Sequence, residues 1–111
     1  MNLRPSDDPR VLAAQLAPCI AAAARAVNAS PELARACLMQ ALAQSGGGKY
    51  CSGNNPWHLP GEGDAGWVGC YQLHADPTTS ANGGYRVIFE KVAKFSSPGS
   101  ACAAWFKTHT R

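Results

Sequence analysis

The stretch MQALAQSGGGK, residues 39–49, decides the fold, because an apolar helix pattern ends in it on three consecutive glycines. The apolar positions that lead into it recur at helical spacing, at Leu33, Cys37, Leu38, Ala41 and Leu42. Ser30-Pro31-Glu32 is a typical helix start, with a capping hydroxyl, a first-turn proline and an acid at the positive helix end. Three glycines in a row lose too much backbone entropy to stay helical. We therefore predict a helix that ends near Gln44 and opens into a loop.

The N-terminal part of the chain predicts further helix. Asp8-Pro9 is typical of an N-cap followed by a first-turn proline, and we expect a short helix over roughly 9–16. Pro18 should break that helix, because proline lacks an amide hydrogen and clashes with the preceding turn. The helix should restart there and run to about Val27, with Ile20, Ala23, Ala24 and Val27 as its apolar stripe.

The remainder of the chain predicts a loop, a β-hairpin and a last helix. Residues 50–68 are rich in Gly, Pro and Asn, which favours a loop. Gly69–His74 and Tyr85–Phe95 are candidate strands, with a hairpin-type turn at Asn82-Gly83 between them. Ser97-Pro98 starts a helix in which Ala101, Ala104 and Trp105 should face inward. The expected fold is mainly α, in the α+β class, with a cleft where the glycines stop the helix.

Composition limits the classes of protein to which the chain can belong. The 111 residues suffice for one domain, which we expect to span 1–111. Hydrophobic residues make up 46% and charged residues 15%, which is a globular composition. A net charge of +3 is far below that of a typical nucleic-acid binder, and no apolar run is long enough to span a membrane.

Five cysteines in so short a chain make one or two disulfides plausible. Cys51 and Cys70 flank the central loop, so we would pair them first. Alternatively, Cys19, Cys37 and Cys102 are small buried apolar residues. The wide spacing contains no C-x-x-C, so we expect no metal site.

The quoted stretch, with the NNPWHL run at residues 54–59, resembles the glucosaminidase domains of bacterial autolysins and flagellar muramidase-type proteins. Those domains carry a helix ending in ALESGWGK, followed by NNLFGIK. The resemblance covers roughly residues 11–107 and includes the Pro18 break, the Ser30-Pro31 helix start and VAKFSS at 92–97. GCYQL at residues 69–73 also looks like the GLMQL strand of lytic transglycosylases. The resemblance implies a lysozyme-like helical domain with a small β-hairpin lobe beside a glycan-binding cleft.

Gln44 stands where the family carries the glutamic acid that donates a proton to the glycosidic oxygen. Glycosidic cleavage needs a carboxylic acid that is still protonated near neutral pH. An amide has nearly the same shape and can hydrogen-bond to that oxygen, but it cannot give up a proton. Either a glutamate has been replaced to trap a substrate, or the protein is a natural member that binds glycan without cutting it. Gly47, where the family has tryptophan, favours natural divergence.

Other residues are candidates for the site. Glu62 and Asp64, in the loop expected opposite the helix end, could supply a second carboxylate, although charges in Gly-rich loops are usually only solvated. The remaining candidates would contact sugar rings or N-acetyl groups: Trp57, Trp67, Tyr71, Gln72 and Asn55. Core packing would equally explain the tryptophans, and we favour a loop-bracing role for Asn55.

The resemblance implies a peptidoglycan hydrolase of the β-N-acetylglucosaminidase or muramidase type, working without a cofactor and inactive in this form because of Gln44. The alternatives are a non-catalytic module that binds glycan or protein, and a structural adaptor. The expected partners are a peptidoglycan glycan strand and a cognate inhibitor or immunity protein, with the chain as a monomer. We expect it to act in the periplasm or cell wall, exported by a route without a visible signal peptide or with a leader outside this chain.

Overall fold

The structure, a computed structural model, describes residues 2–78 and 83–110, apart from the side chain of Gln72. The elements of this part follow in the order α1 (Pro9–Ala26), α2 (Pro31–Gln44), β1 (Trp67–Ala75), β2 (Tyr85–Ala93) and α3 (Pro98–His109). A short 3-10 turn, Ser52–Asn54, lies in the loop between α2 and β1. The fold is the mainly helical α+β arrangement that the sequence predicts. No helix of the described residues is long and apolar enough to cross a bilayer.

Helix α1 is continuous, so the predicted break at Pro18 is wrong. Four side chains at every fourth position of α1 are buried: Leu12, Leu16, Ile20 and Ala24. Their burial against α2 and α3 offsets the roughly 3 kcal/mol that an internal proline costs. Pro18 and Ala14, whose carbonyl loses its helical partner, are both exposed, so water can bind that carbonyl.

The helix starts confirm the capping predictions. Asp8 accepts a hydrogen bond from the amide of Arg10 at 3.0 Å, and Ser30 accepts one from the amide of Leu33 at 3.1 Å. Ser97 caps α3 in the same way, by accepting from the amide of Ser100 at 3.1 Å. Each side-chain oxygen satisfies an amide that has no partner within its helix, which fixes where the helix begins.

The three glycines end α2 at Gln44, as predicted. Gly46, Gly47 and Gly48 have φ of +63°, +77° and +103°, which is backbone that side chains other than glycine's rarely tolerate. A Cβ on Gly48 would lie 2.9 Å from the Cβ of Leu12, so the glycine run also packs tightly against α1.

The core lies between the three helices and the loop that follows α2. Its fully buried large side chains are Leu12, Leu16, Trp105 and Phe106, with Cys37 and Cys102 between them. Ala101 and Trp105 face inward on α3 as predicted, while Ala104 is half-buried. Trp105 also donates from Nε1 to Oε1 of Gln40 at 3.2 Å, which joins α3 to α2.

The expected Cys51–Cys70 disulfide is wrong, because Cys51 carries a reduced thiol. The Cys51 side chain is buried in the core, whereas Cys70 lies on β1 and lines a surface pocket. Cys37 and Cys102 are buried thiols, which agrees with the alternative that they are small apolar residues. Burial raises the pKa of Cys37 to about 12, so its reactive thiolate form is scarce at neutral pH.

The two strands form an antiparallel hairpin in which Trp67 pairs with Ala93 and Ala75 with Tyr85. The strands begin and end within two residues of the predicted bounds. Phe95, the predicted end of the second strand, follows β2 and is buried in the core. Asn82 of the predicted turn lies outside the described residues. Because side chains alternate between faces along a strand, the hairpin presents two surfaces of different composition.

Candidate functional site

A surface pocket of about 240 Å³ lies between the loop after α2 and one face of the hairpin. We call this pocket the groove. The loop contributes Lys49, Tyr50, Ser52 and His58 to it, and the hairpin contributes Val68, Cys70 and Val92. Tyr50 is 60% exposed, so its ring is available to a ligand. The groove therefore combines an aromatic ring, a lysine and a histidine with an apolar floor.

Gln44 is exposed at the end of α2, where the glycine turn begins. The amide of Tyr50 donates to the carbonyl of Ser45 at 2.9 Å, and the buried Ser45 hydroxyl accepts from the amide of Gly48 at 2.9 Å. A Cβ on Gly46 would lie 3.3 Å from the Tyr50 ring, so the ring packs over this turn. Gln44 and Tyr50 thus stand at the two ends of one braced turn. Within the described residues, the Gln44 side chain makes no hydrogen bond.

Two buried asparagines brace the loop that carries the groove. Asn55 accepts from the amide of Leu59 at 2.9 Å and donates to the carbonyl of Ala93 at 2.8 Å. Asn54 donates to the carbonyl of Phe95 at 2.9 Å and accepts from the amide of Leu3 at 2.8 Å. These bonds fasten the loop to the end of β2. The Asn55 amide is therefore engaged within the fold, in the bracing role that the sequence favoured over sugar contact.

Trp57 lies in the core rather than on the surface of the groove. It is 5% exposed, and its Nε1 donates to the carbonyl of Cys37 on α2 at 2.8 Å. Burying this large ring with its polar atom satisfied stabilises the loop against α2. Its contribution to a site is therefore to hold the neighbouring His58, whose Nε2 lies 3.3 Å from the Tyr50 carbonyl.

Trp67 and Tyr71 lie on the face of the hairpin opposite the groove. They alternate along β1 with Val68 and Cys70, which line the groove. Both are well exposed, at 42% for Trp67 and 75% for Tyr71. The backbone of Gln72 pairs with Ile88 in the hairpin. Apart from Gln72, the residues proposed from sequence to contact sugar are therefore divided between the core and the face of the hairpin opposite the groove.

Glu62 and Asp64 lie away from the lining of the groove. Glu62 is exposed, pairs with Lys91 at 3.7 Å, and lines a different pocket that includes Lys107 of α3. Asp64 accepts hydrogen bonds from the amide and hydroxyl of Ser96 and from the hydroxyl of Ser100 at 3.0 Å. These bonds, those from Ser96 first, lower the pKa of Asp64. Asp64 thus holds the segment that starts α3, and a lowered pKa is the opposite of what a proton donor needs.

A carboxylate that the sequence analysis missed lies on the groove face of the hairpin. Glu90 pairs in register with Cys70, and its Oε1 lies 2.7 Å from Nε2 of His74. Both side chains are partly exposed, at 40% for Glu90 and 43% for His74. Alternation along Tyr85–Ala93 places Glu90 on the same face as the half-buried Ile88 and Val92. This alternation is the sequence signal that could have identified Glu90 as a candidate. Its partner is 16 residues away, a spacing that no local motif reveals.

Residues 2–78 and 83–110 contain no group of three or more His, Cys, Asp and Glu side chains that could hold a metal ion. The groove itself offers the ring of Tyr50, the imidazole of His58 and the hydroxyl of Ser52. The exposed amide of Gln44 lies at the start of the adjoining turn, and the Glu90–His74 pair lies on the same face of the hairpin.

Three helices around one core, a small β-hairpin lobe, and a groove beside the C-terminal end of α2 define a lysozyme-like α+β domain. No protein-family model and no curated protein sequence matches the chain. Among solved structures, it is similar to the catalytic domain of the autolysin Auto from Listeria monocytogenes, with a TM-score of 0.71 and 15% sequence identity. The match covers 97% of this chain and 59% of that one, so this chain spans less than two thirds of the neighbour's length. At this identity, the likeness shows the fold.

Proposed function

We propose that this chain binds a peptidoglycan glycan strand in the groove, as a domain of the peptidoglycan-hydrolase type, and that Gln44 leaves it unable to cut the strand. The observation that carries this proposal is the exposed Gln44 amide at the end of α2, on the turn that leads to the groove. The similarity to an autolysin catalytic domain supports the choice of substrate class.

The chemistry of the amide explains binding without cleavage. A glycosidic bond breaks when a protonated carboxyl group donates to the leaving oxygen. The amide of Gln44 can donate a hydrogen bond to the same oxygen but keeps its hydrogen. The strand would therefore be held in position while the bond stays intact.

The groove offers contacts suited to a sugar polymer. The exposed Tyr50 ring can stack on the apolar face of a pyranose. His58 and Ser52, both exposed beside it, supply hydrogen-bonding groups for hydroxyl or N-acetyl substituents. Lys49 also lines the groove, and its ammonium group pairs with Asp7 at 3.5 Å, so it is a further hydrogen-bond donor there.

The experiment compares the wild type with Gln44→Glu and with the matched control Gln40→Glu, which makes the same change one turn earlier on α2. Binding is measured by pelleting with purified cell wall, and cleavage by loss of turbidity. We expect all three proteins to bind and only Gln44→Glu to cut, at least about 100-fold above the wild type, because a general acid contributes roughly that much or more.

Three results would contradict all or part of the proposal. If no form pellets with cell wall, the proposed glycan binding is wrong. If the wild type lowers the turbidity of the cell wall, the inactivity assigned to Gln44 is wrong. Binding without cleavage by Gln44→Glu would keep a glycan-binding module and remove the hydrolase-type arrangement.

A second candidate function, an active hydrolase that uses Glu90, has one observation in its favour. Glu90 is the carboxylate on the groove face of the hairpin, and the ring of His74 orients it. If Glu90 carries the chemistry, wild-type cleavage should be lost in Glu90→Gln and unaffected by Gln44→Ala. Under the first proposal the wild type does not cut, so the same assay separates the two.

A further inference from the structure

The face of the hairpin opposite the groove is an exposed apolar surface. Six side chains form this surface, each between 42% and 75% exposed: Trp67, Tyr71, Leu73, Tyr85, Val87 and Phe89. The register places them together, since Tyr71 pairs with Phe89, Leu73 with Val87, and Ala75 with Tyr85. We call these six residues the aromatic face. Scattered apolar side chains are normal on a protein surface, but a contiguous set of six is not.

Three of the four rings of the aromatic face contact one another. Phe89 lies over Gly69, where a Cβ would overlap its ring. Trp67 and Tyr71 meet Phe89 edge-on, with ring centroids 6.5 Å and 5.4 Å away. Such edge-to-face pairs are favourable and limit ring motion. These contacts favour one arrangement of the three rings, which lowers the entropy cost of binding at that part of the surface.

The charges around the aromatic face are already paired. The Lys91 ammonium lies 4.6 Å from the centre of the Trp67 ring and 3.7 Å from the Glu62 carboxylate. Arg86 pairs in register with His74, so it lies on the groove face and adds no positive charge to the aromatic face. A sugar strand needs several hydrogen-bonding groups, and an anionic membrane needs excess positive charge. Among the described residues, the aromatic face offers no unpaired cation, and its own side chains offer only the hydroxyls of Tyr71 and Tyr85 and the indole N–H of Trp67. Most of its exposed surface is therefore apolar, which favours an apolar protein surface as its occupant.

We propose that a second copy of this chain packs on the aromatic face to form a two-fold dimer. The order along the aromatic face suits a two-fold axis, because Trp67 lies at one end, Tyr85 at the other, and the Tyr71–Phe89 and Leu73–Val87 pairs lie between them. Antiparallel stacking of two copies sets Trp67 of one against Tyr85 of the other and brings the middle pairs of both copies together at the centre. A two-fold interface of this kind closes on itself and requires no other partner.

The area fits a weak, specific dimer. With roughly 200 Å² per aromatic side chain, the exposed parts of the aromatic face amount to roughly 600 Å² per copy. Complete burial of both copies would remove about 1,200 Å² from water, the lower end for specific interfaces. We expect a dissociation constant on the order of 1–100 µM, because a small interface retains little free energy after the cost of association.

The dimer would leave both grooves open, since the groove lies on the opposite face of the hairpin. It does not depend on the proposed function. If that function also holds, two outward-facing grooves would bind one polymeric wall with avidity.

Sedimentation velocity from about 1 to 500 µM, bracketing the expected dissociation constant, tests the dimer. The wild type should pass from the monomer to twice its mass. Leu73→Lys should weaken the association roughly 100-fold, because it places a charge at the buried centre. Met39→Lys is the matched control: Met39 is 59% exposed on α2, Leu73 is 67% exposed, and both changes add one charge. The control should associate like the wild type, and circular dichroism should show both variants folded.

A monomer at every concentration would overturn the proposal, as would a dimer that survives Leu73→Lys or is lost equally in Met39→Lys. If the protein is monomeric, tryptophan fluorescence with soluble glycan tests the alternative ligand. A fluorescence change in the wild type that is absent in Leu73→Lys would assign the aromatic face to sugar instead. Co-sedimentation with anionic phospholipid vesicles that Leu73→Lys abolishes would assign it to lipid.

Discussion

At the scale of single residues, the side chains available to a ligand are the polar ones that make no hydrogen bond within the fold. Asn55, Asn54 and Asp64 bond to backbone or hydroxyl groups of their own chain, while the amide of Gln44 is exposed and has no partner among the described residues. A ligand would have to break existing hydrogen bonds to recruit the first three. Gln44 can bind one at no such cost.

Asn55 gives a prediction at this scale. Asn55→Ala leaves the buried carbonyl of Ala93 and the amide of Leu59 without their partner, so the free energy of unfolding should fall by about 2–4 kcal/mol. Urea denaturation measures the loss. The exposed Gln44→Ala should change stability by less than about 0.5 kcal/mol. Equal losses in the two variants would contradict the bracing role of Asn55.

At the scale of elements, the start of α3 is fixed by a carboxylate far from it in sequence. Asp64 bonds Ser96 and Ser100, and these bonds hold its pKa below the ordinary 3.8. Because the folded pKa is lowered, the stabilisation is fully present above about pH 4 and is lost as pH falls through the folded value.

The corresponding prediction concerns acid stability. Wild type should be more stable than Asp64→Asn at neutral pH, and the gap should narrow as pH falls below about 4. Urea denaturation at a series of pH values measures the gap, and Asp8, which also has a lowered pKa, cancels because both proteins carry it. Glu62→Gln is the control, since its exposed ion pair should contribute little. A gap that is constant with pH would refute the role of Asp64.

The sequence predicts elements well where the signal is local. Ser30, Ser97 and the three glycines set helix ends through bonds within a few residues, so their effects are visible in the chain. The helix break predicted at Pro18 was wrong, because burial of the apolar stripe of α1 outweighs the local free-energy cost of an internal proline. The disulfide predicted from cysteine spacing was also wrong, because spacing does not show that Cys51 is buried in the core.

The candidate site was predictable only in part. Gln44 at the helix end follows from the glycine stop and the family resemblance. Whether Trp57 or Tyr71 faces a groove depends on how the loop and hairpin pack, which alternation alone cannot decide. The His74–Glu90 pair bridges strands across the hairpin, so it becomes visible only when the register is known.

At the scale of the whole molecule, the hairpin separates two surfaces. One face, with Val68 and Val92, closes the groove beside the α2 turn, and the other carries the aromatic face. Binding of a glycan strand and association of two copies would therefore take place on opposite sides of the same two strands. Because the side chains of the two faces point away from each other, we expect a substitution at an exposed tip on one face to have little effect on binding at the other.

Backbone chemical-shift mapping with a soluble peptidoglycan fragment tests most directly whether glycan binds in the groove. We expect saturable shifts at Gln44, Tyr50, His58 and Val68, with the aromatic face unchanged at a protein concentration low enough to keep the chain monomeric. Shifts confined to Tyr71 and Phe89, or no shifts at any fragment concentration, would contradict this expectation.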